Sequence, residues 1–286
     1  GPKLTQKGGD GRAAPTTSPI TTPPWTLDAR FVRALLANGE SASDILANAS
    51  GGGEAIRWLD IVGTIPGGGP FSVRIEPGAS TRHLSVEARD AGRFLRGVDS
   101  IRGLQSGHLA IEGDLDSNFG LEPLVGTALL ENVVLQNSPL MGKLLQAITV
   151  YGLVDALRGP GITFSRIVAP FKYDGADVTL NDAHASNASL GLTAKGRVGL
   201  SSGLVAVSGT IVPAYYFNSM LGQLPVVGKV FSPEKGGGVF AARFSLDGSI
   251  DDPSMSLNPV SALTPGFMRD IFGIFDRDPP ASSTIK

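Results

Sequence analysis

The sequence predicts a β-dominated α+β protein: a long antiparallel sheet with short apolar helices between groups of strands. Three observations predict it. Apolar and polar residues alternate with a period of two over unusually long segments. Apolar segments with helical spacing are few and sit between those strand groups. Glycine and proline are abundant, 38 and 20 of 286 residues, and much of that excess falls in turn-like clusters between strands.

The clearest strand runs from Ser189 to Leu200. Its even positions are Leu190, Leu192, Ala194, Gly196, Val198 and Leu200; its odd positions include Thr193, Lys195 and Arg197. One apolar and one polar face is the signature of an antiparallel strand with one side buried. A Ser-Ser-Gly turn follows, and Leu204 to Val212 forms the return strand. Residues 239–250 repeat the theme, with Phe240, Ala242, Phe244, Leu246 and Ile250 on one side and Arg243, Ser245, Asp247 and Ser249 on the other. Shorter strands are expected at Phe71–Ile75, His83–Ala88, Gly107–Gly113 and Val178–Leu180.

Four helical segments are expected. Ser138-Pro139 offers an N-cap with proline at the first helical position, before Leu140, Leu144, Ile148 and Tyr151 on one face. Gly159-Pro160-Gly161 stops that segment. Pro213 to Phe231 is cut by Pro225 and Gly228 into two short helices, and a further helix starts at Thr264-Pro265 and carries Phe267, Met268, Ile271 and Phe275. A weaker one covers Asp90 to Arg96. Residues 1–24 are Pro-, Gly-, Ser- and Thr-rich and are expected to be a disordered linker. Their start, Gly1-Pro2 without methionine, reads as a trimmed tag, so the chain is expected to be a piece of a longer protein. Residues 25–275 are expected to form a single domain and 276–286 a disordered tail.

Composition excludes several classes of function. Charged residues are only 17% of the chain and the formal net charge is −2, with basic residues scattered, which argues against a nucleic-acid partner. There is no cysteine, so disulfides and thiolate metal sites are excluded. No uncharged apolar run reaches 18 residues. Gly199-Leu-Ser201-Ser-Gly203 matches G-x-S-x-G, but a nucleophile elbow needs a helix after the serine and here a strand follows. His83, His108 and His184 lack metal-ligand spacing, and the Gly51–Gly53 and Gly236–Gly238 runs lack the lysine of a phosphate loop. No catalytic residue, metal or cofactor is expected, and the protein is expected not to be an enzyme.

What remains is apolar surface. Either the apolar helices cover the apolar face of the sheet, or the sheet curls into an open gutter that receives acyl chains while the helices meet a membrane interface.

The segment Gly209-Thr-Ile-Val-Pro213-Ala-Tyr-Tyr-Phe-Asn218-Ser-Met-Leu-Gly-Gln-Leu-Pro225-Val-Val-Gly228 resembles a motif of the AsmA-like family (the AsmA, YhdP and TamB type) in its C-terminal region. The resemblance continues through Gly248-Ser-Ile-Asp-Asp-Pro253 and Leu257-Asn258-Pro259-Val-Ser-Ala-Leu-Thr-Pro265-Gly266-Phe-Met-Arg-Asp-Ile-Phe272, and a looser likeness reaches back to about Asp90. It implies an open β-groove of the bridge-like lipid-transfer type, lying in the periplasm of a Gram-negative bacterium. It also implies an inner-membrane anchor outside this sequence, and a C-terminal region close to the outer membrane.

On this basis the expected function is intermembrane lipid transport, with phospholipid as the ligand and a hopanoid as the alternative, and the outer membrane or one of its proteins as partner. The groove lining is expected from Val73, Ile75, Val86, Leu109, Ile111, Leu190, Leu192, Val198, Leu200, Phe240, Phe244 and Leu246. Membrane contact is expected from Leu140, Met141, Leu144, Leu145, Met220, Leu221, Phe267, Ile271 and Phe272. The family motif comprises Pro213, Asn218, Pro225, Gly228, Asn258, Pro259, Pro265 and Gly266, of which Pro213, Asn218, Pro225, Asn258 and Pro265 are expected to shape helix entry and exit. The alternative function is a non-transporting interaction module in outer-membrane assembly.

Overall fold

The computed structural model describes residues 23–53, 55–101, 103–116, 120–136, 161–187, 190–213 and 241–260. They form one antiparallel sheet of 14 strands. The strands are β1 (Pro24–Leu35), β2 (Ser41–Gly52), β3 (Ala55–Ile65), β4 (Gly69–Pro77) and β5 (Thr81–Ala88). After helix α1 (Ala91–Gly97) come β6 (Leu104–Gln105), β7 (His108–Asp116), β8 (Leu124–Leu135), β9 (Ile162–Tyr173) and β10 (Asp177–Ser186). The last four are β11 (Leu190–Gly199), β12 (Leu204–Pro213), β13 (Ala241–Ser249) and β14 (Asp252–Val260). Each strand pairs with the next in sequence, except that the two-residue β6 pairs with β8 beside the main path. β1 and β14 do not pair with each other, so the sheet is not closed.

Register carries the sequence alternation across the whole sheet. Val198 opposes Val205, which opposes Gly248; Leu192 opposes Ile211, which opposes Ala242. On the other flank Ile61 opposes Val73, Val73 opposes Val86, and Val86 opposes Ile111. One face is therefore apolar from strand to strand. The other face carries the charges: Arg74 bonds Asp60 at 3.0 Å, and Arg197 lies 3.3 Å from Asp177. Three strands slip register by one residue, at Asp44 in β2, Arg57 in β3 and Asp182 in β10. Both aspartates have φ of 52°, a conformation that a short polar side chain tolerates and a bulge requires. Bulges bend the strands that carry them.

Three glycines of the apolar face stand opposite phenylalanines: Gly63 with Phe71, Gly126 with Phe171 and Gly209 with Phe244. The Phe71 ring lies 2.8 Å from where a Gly63 Cβ would be, and the Phe244 ring 2.7 Å from that of Gly209. At Gly63 and Gly209 the ring on the next strand takes the space a Cβ would need, so these two glycines are packing positions rather than turns.

The three longest connections, α1 with its flanks between β5 and β7, β8 to β9 and β12 to β13, leave from one set of strand ends, the first rim, which also carries the β1–β2 turn. The second rim, where β1 begins, has connections of up to seven residues, such as 117–123, 174–176 and 200–203. Helix α1 forms where expected, capped by Asp90, whose carboxylate accepts from the Arg93 amide at 2.9 Å. Only this helix and a single turn of 3-10 helix at Ala37–Gly39 occur among the described residues. The expected helices at 140–157 and 264–275, and nearly all of 213–231, lie outside them.

Two expectations change. Pro213 is the last residue of β12 rather than the start of a helix. Asn258 and Pro259 lie in β14, so they belong to a strand and not to a helix boundary. β14 is the last strand of the sheet among the described residues, and an outer strand is where proline is best admitted.

Candidate functional site: the apolar face

The alternation of apolar residues builds the site. Ten of the expected lining residues share the apolar face. Val86, Leu109, Leu190, Phe244 and Leu246 belong to its core, with Val73, Ile111, Leu192 and Val198 packed against them, and Ile75 anchors a second cluster with Leu115 and Leu124. The face is well covered: Ile75, Leu109 and Leu115 are 1% exposed, and Phe244 and Leu246 stay below 8%. It opens at β1, where Leu27 and Phe31 are each 50% exposed.

Leu200 is a correction. β11 ends at Gly199, Leu200 enters the turn, and its side chain is 56% exposed. Ile250, expected on the apolar side of β13, likewise falls in a turn and is 46% exposed. Phe240 lies outside the described residues. So do Leu140, Met141, Leu144, Leu145, Met220, Leu221, Phe267, Ile271 and Phe272, and the motif residues Asn218, Pro225, Gly228, Pro265 and Gly266.

At the first rim α1 lies on the apolar face. Ala91, Phe94 and Leu95 join the core, and the Phe94 ring is 5.6 Å from that of Phe71. Glu40, in the β1–β2 turn, fixes the helix from outside: Arg96 donates to it at 2.9 Å and Arg93 at 3.4 Å. The Asn38 amide donates to the Arg96 carbonyl at 3.0 Å.

At the second rim the apolar face ends on a buried cation that the alternation rule missed. Arg82 is 2% exposed. Its guanidinium donates to the carbonyl oxygens of Asp116 at 2.6 Å, Gly120 at 2.5 Å and Ile56. Its signal was in the sequence: Arg82 has the parity of Leu84, Val86 and Ala88, so it is a lone charge in register with an apolar stripe. Arginine suits the position because its donors form a planar fork that several carbonyls can share.

The polar face carries two histidines with opposite tendencies. Burial would lower the His83 pKa, but hydrogen bonds to Asp114 at 3.2 Å and Glu112 at 2.7 Å, with the charge of both carboxylates, raise it. Burial lowers His184, against a smaller opposing effect of Asp182, and its Nδ1 has no hydrogen-bond partner. A depression of about 560 Å³ on this face, lined by Asn181, Asp182, Lys195, Ser208 and Asp247 among others, is as polar as it is apolar. Ser201 stands exposed in the β11–β12 turn and a strand follows it. No group of metal-ligating side chains occurs among the described residues, and no helix among them is long and apolar enough to cross a membrane.

Chemically, the face offers a long apolar lining with charge held at its rims or on the opposite side. Comparison of the chain with protein-family models, curated proteins and solved structures finds no match.

Proposed function

We propose that this protein carries lipid acyl chains along the apolar face of its sheet, as the C-terminal part of an AsmA-like envelope protein that moves phospholipid between the membranes of a Gram-negative bacterium. The observation that supports this reading is the continuity of the face. The apolar clusters run from β3 to β14, and register continues the same face through Ala49 and Ile45 of β2 to Leu27 and Phe31 of β1. Acyl chains need such a surface and little else, since burial of apolar area rather than directed bonding supplies the affinity. The exposed stretch at β1, with Leu27 and Phe31, is where a chain would enter first.

The test is lipid content. The purified protein, examined by native mass spectrometry, should carry phospholipid. Leu192→Asp, at a half-buried position of the face, should remove it while the melting transition persists. A protein free of lipid in both forms would end this reading.

A specific observation favours a second one. Residues such as Ile75, Leu109 and Leu115 are covered almost completely, as in a filled core. A filled face would make the domain an interaction module for outer-membrane assembly. Capture of a stoichiometric outer-membrane protein, unaffected by Leu192→Asp, would favour that alternative.

A further inference from the structure

Helix α1 joins two parts of the molecule that are not neighbours in the sheet, and its two ends are held differently. At the N-terminal end the amides of Ala91 and Gly92 donate to the carbonyls of Gly107 at 2.7 Å and Ser106 at 3.2 Å, in the turn before β7. At the C-terminal end the bonds to other elements run through side chains. Arg96 donates to Glu40 and to the Leu104 carbonyl, both at 2.9 Å, and Arg93 reaches Glu40 at 3.4 Å. Asn38 donates to the Arg96 carbonyl and to Asp99. Glu40 and Asn38 belong to the connection between β1 and β2, so α1 crosses the first rim from β6 to that connection.

Little besides docking keeps α1 helical. Seven residues, two of them glycine, are far below the length at which a helix persists in water. Two large side chains, Phe94 and Leu95, supply its apolar contact with the sheet, and the Phe94 ring meets that of Phe71. The latch around Glu40 is partly hydrated, with Arg93 41% exposed. Short elements docked by few apolar groups open ahead of the rest of a fold. An acyl chain laid on the same face would replace the burial that Phe94 and Leu95 provide, so exchange of helix for chain leaves the apolar surface covered. The position also suits a gate. Phe71 is in β4, which in strand order stands between the half-exposed Leu27 and Phe31 of β1 and the buried Leu109 of β7.

We infer that α1 is a hinged strap that gates the apolar face. It turns about Ala91 and Gly92 when the Glu40 latch releases, and an acyl chain then takes the place of Phe94 and Leu95. This rests on the lipid-carrying reading proposed above and names the element that regulates loading.

The chain has no cysteine, so a disulfide can lock the strap. A Cβ at Gly97 would lie 3.5 Å from that of Leu36, within the spacing a disulfide needs. The variant carrying Leu36→Cys and Gly97→Cys is loaded, once oxidised and once reduced, from vesicles of phosphatidylethanolamine and phosphatidylglycerol that contain a fluorescent phospholipid. The reduced form should load as the unmodified protein does, and the oxidised form about tenfold more slowly or worse, because the open state is withdrawn. Both forms should keep the melting transition. Glu40→Gln should load about two- to fivefold faster, the ratio by which loss of a partly exposed ion pair favours opening. In the unmodified protein without lipid, hydrogen exchange at the amides of Phe94 and Val98, which bond within the helix, should run ahead of that in β5. Equal loading by the oxidised and reduced forms, a Glu40→Gln protein no faster than the original, or α1 amides that exchange only as fast as those of β5 would each overturn the strap and leave lipid carriage intact. Loading by neither form nor by the unmodified protein would overturn the lipid reading and the strap with it.

Discussion

The two rims of the sheet close the same apolar face by different physics. At the first rim the closure is a helix: Phe94 and Leu95 extend the core, and a partly exposed ion-pair cluster on Glu40 holds the helix in place. At the second rim it is a single buried arginine whose charge is met by backbone carbonyls. The first arrangement is graded, since packing and ion pairs can each be weakened in part. The second concentrates its bonds on one side chain, which joins three carbonyls from separate parts of the chain. The first rim also carries the three longest connections of the sheet.

Substitutions can break this contrast, and the largest effect should come from the second rim. Arg82→Ala removes a buried side chain and takes its donors from three partly buried carbonyls, and should cost about 2–4 kcal/mol in denaturant unfolding. Arg82→Lys should recover only part of this, because an ammonium cannot span the same acceptors. If Arg82→Ala costs less than Glu40→Gln, the contrast fails. Between the rims, Gly209→Ala should cost about 1–3 kcal/mol, because the added Cβ meets the Phe244 ring and the Thr193 carbonyl. The pair Gly209→Ala with Phe244→Leu should be less than additive. At the first rim, Glu40→Gln should cost only about 1 kcal/mol, since its arginine partners are partly in water.

The smallest effect is a dependence on pH. His83 has a raised folded pKa, so its contribution is present below the unfolded value near 6.5 and is lost as pH rises through the folded value. His184 has a lowered one, so its contribution is present above the unfolded value and is lost as pH falls. His83→Gln should therefore reduce stability at pH 5.5 more than at pH 8, and His184→Gln should flatten the loss on the acid side. Melting curves at the two pH values check both signs, and identical profiles for the two variants would contradict them.

Much of the sheet was legible because a period of two has a single physical meaning when one face is buried. Val73, Val86, Leu192 and Phe244 could be placed on one face from parity alone. Strand ends were less legible, since Leu200 and Ile250 continue the alternation into turns where nothing covers them. No strand was expected before Phe71, because β1 is half exposed and its apolar positions do not alternate cleanly beyond Phe31. Arg82 escaped because burial of a charge depends on carbonyls that are 26 to 38 residues away in sequence. Glycines inside strands had no expected role. At Gly63 and Gly209 the reason for glycine is a ring on the neighbouring strand, which only the register reveals.

The strictly sequential order of the strands has a kinetic and an evolutionary side. Each hairpin closes by a contact that is local along the chain, so loop-closure entropy stays small at nearly every step. Such an array resembles a repeat protein, in which stability accumulates from neighbour to neighbour and growth can start at more than one hairpin. Adding or removing a hairpin at β1 would change the length of the sheet and leave the pairing of β10 to β14 as it was. Length is thus the property that this architecture can alter with least disturbance to everything else.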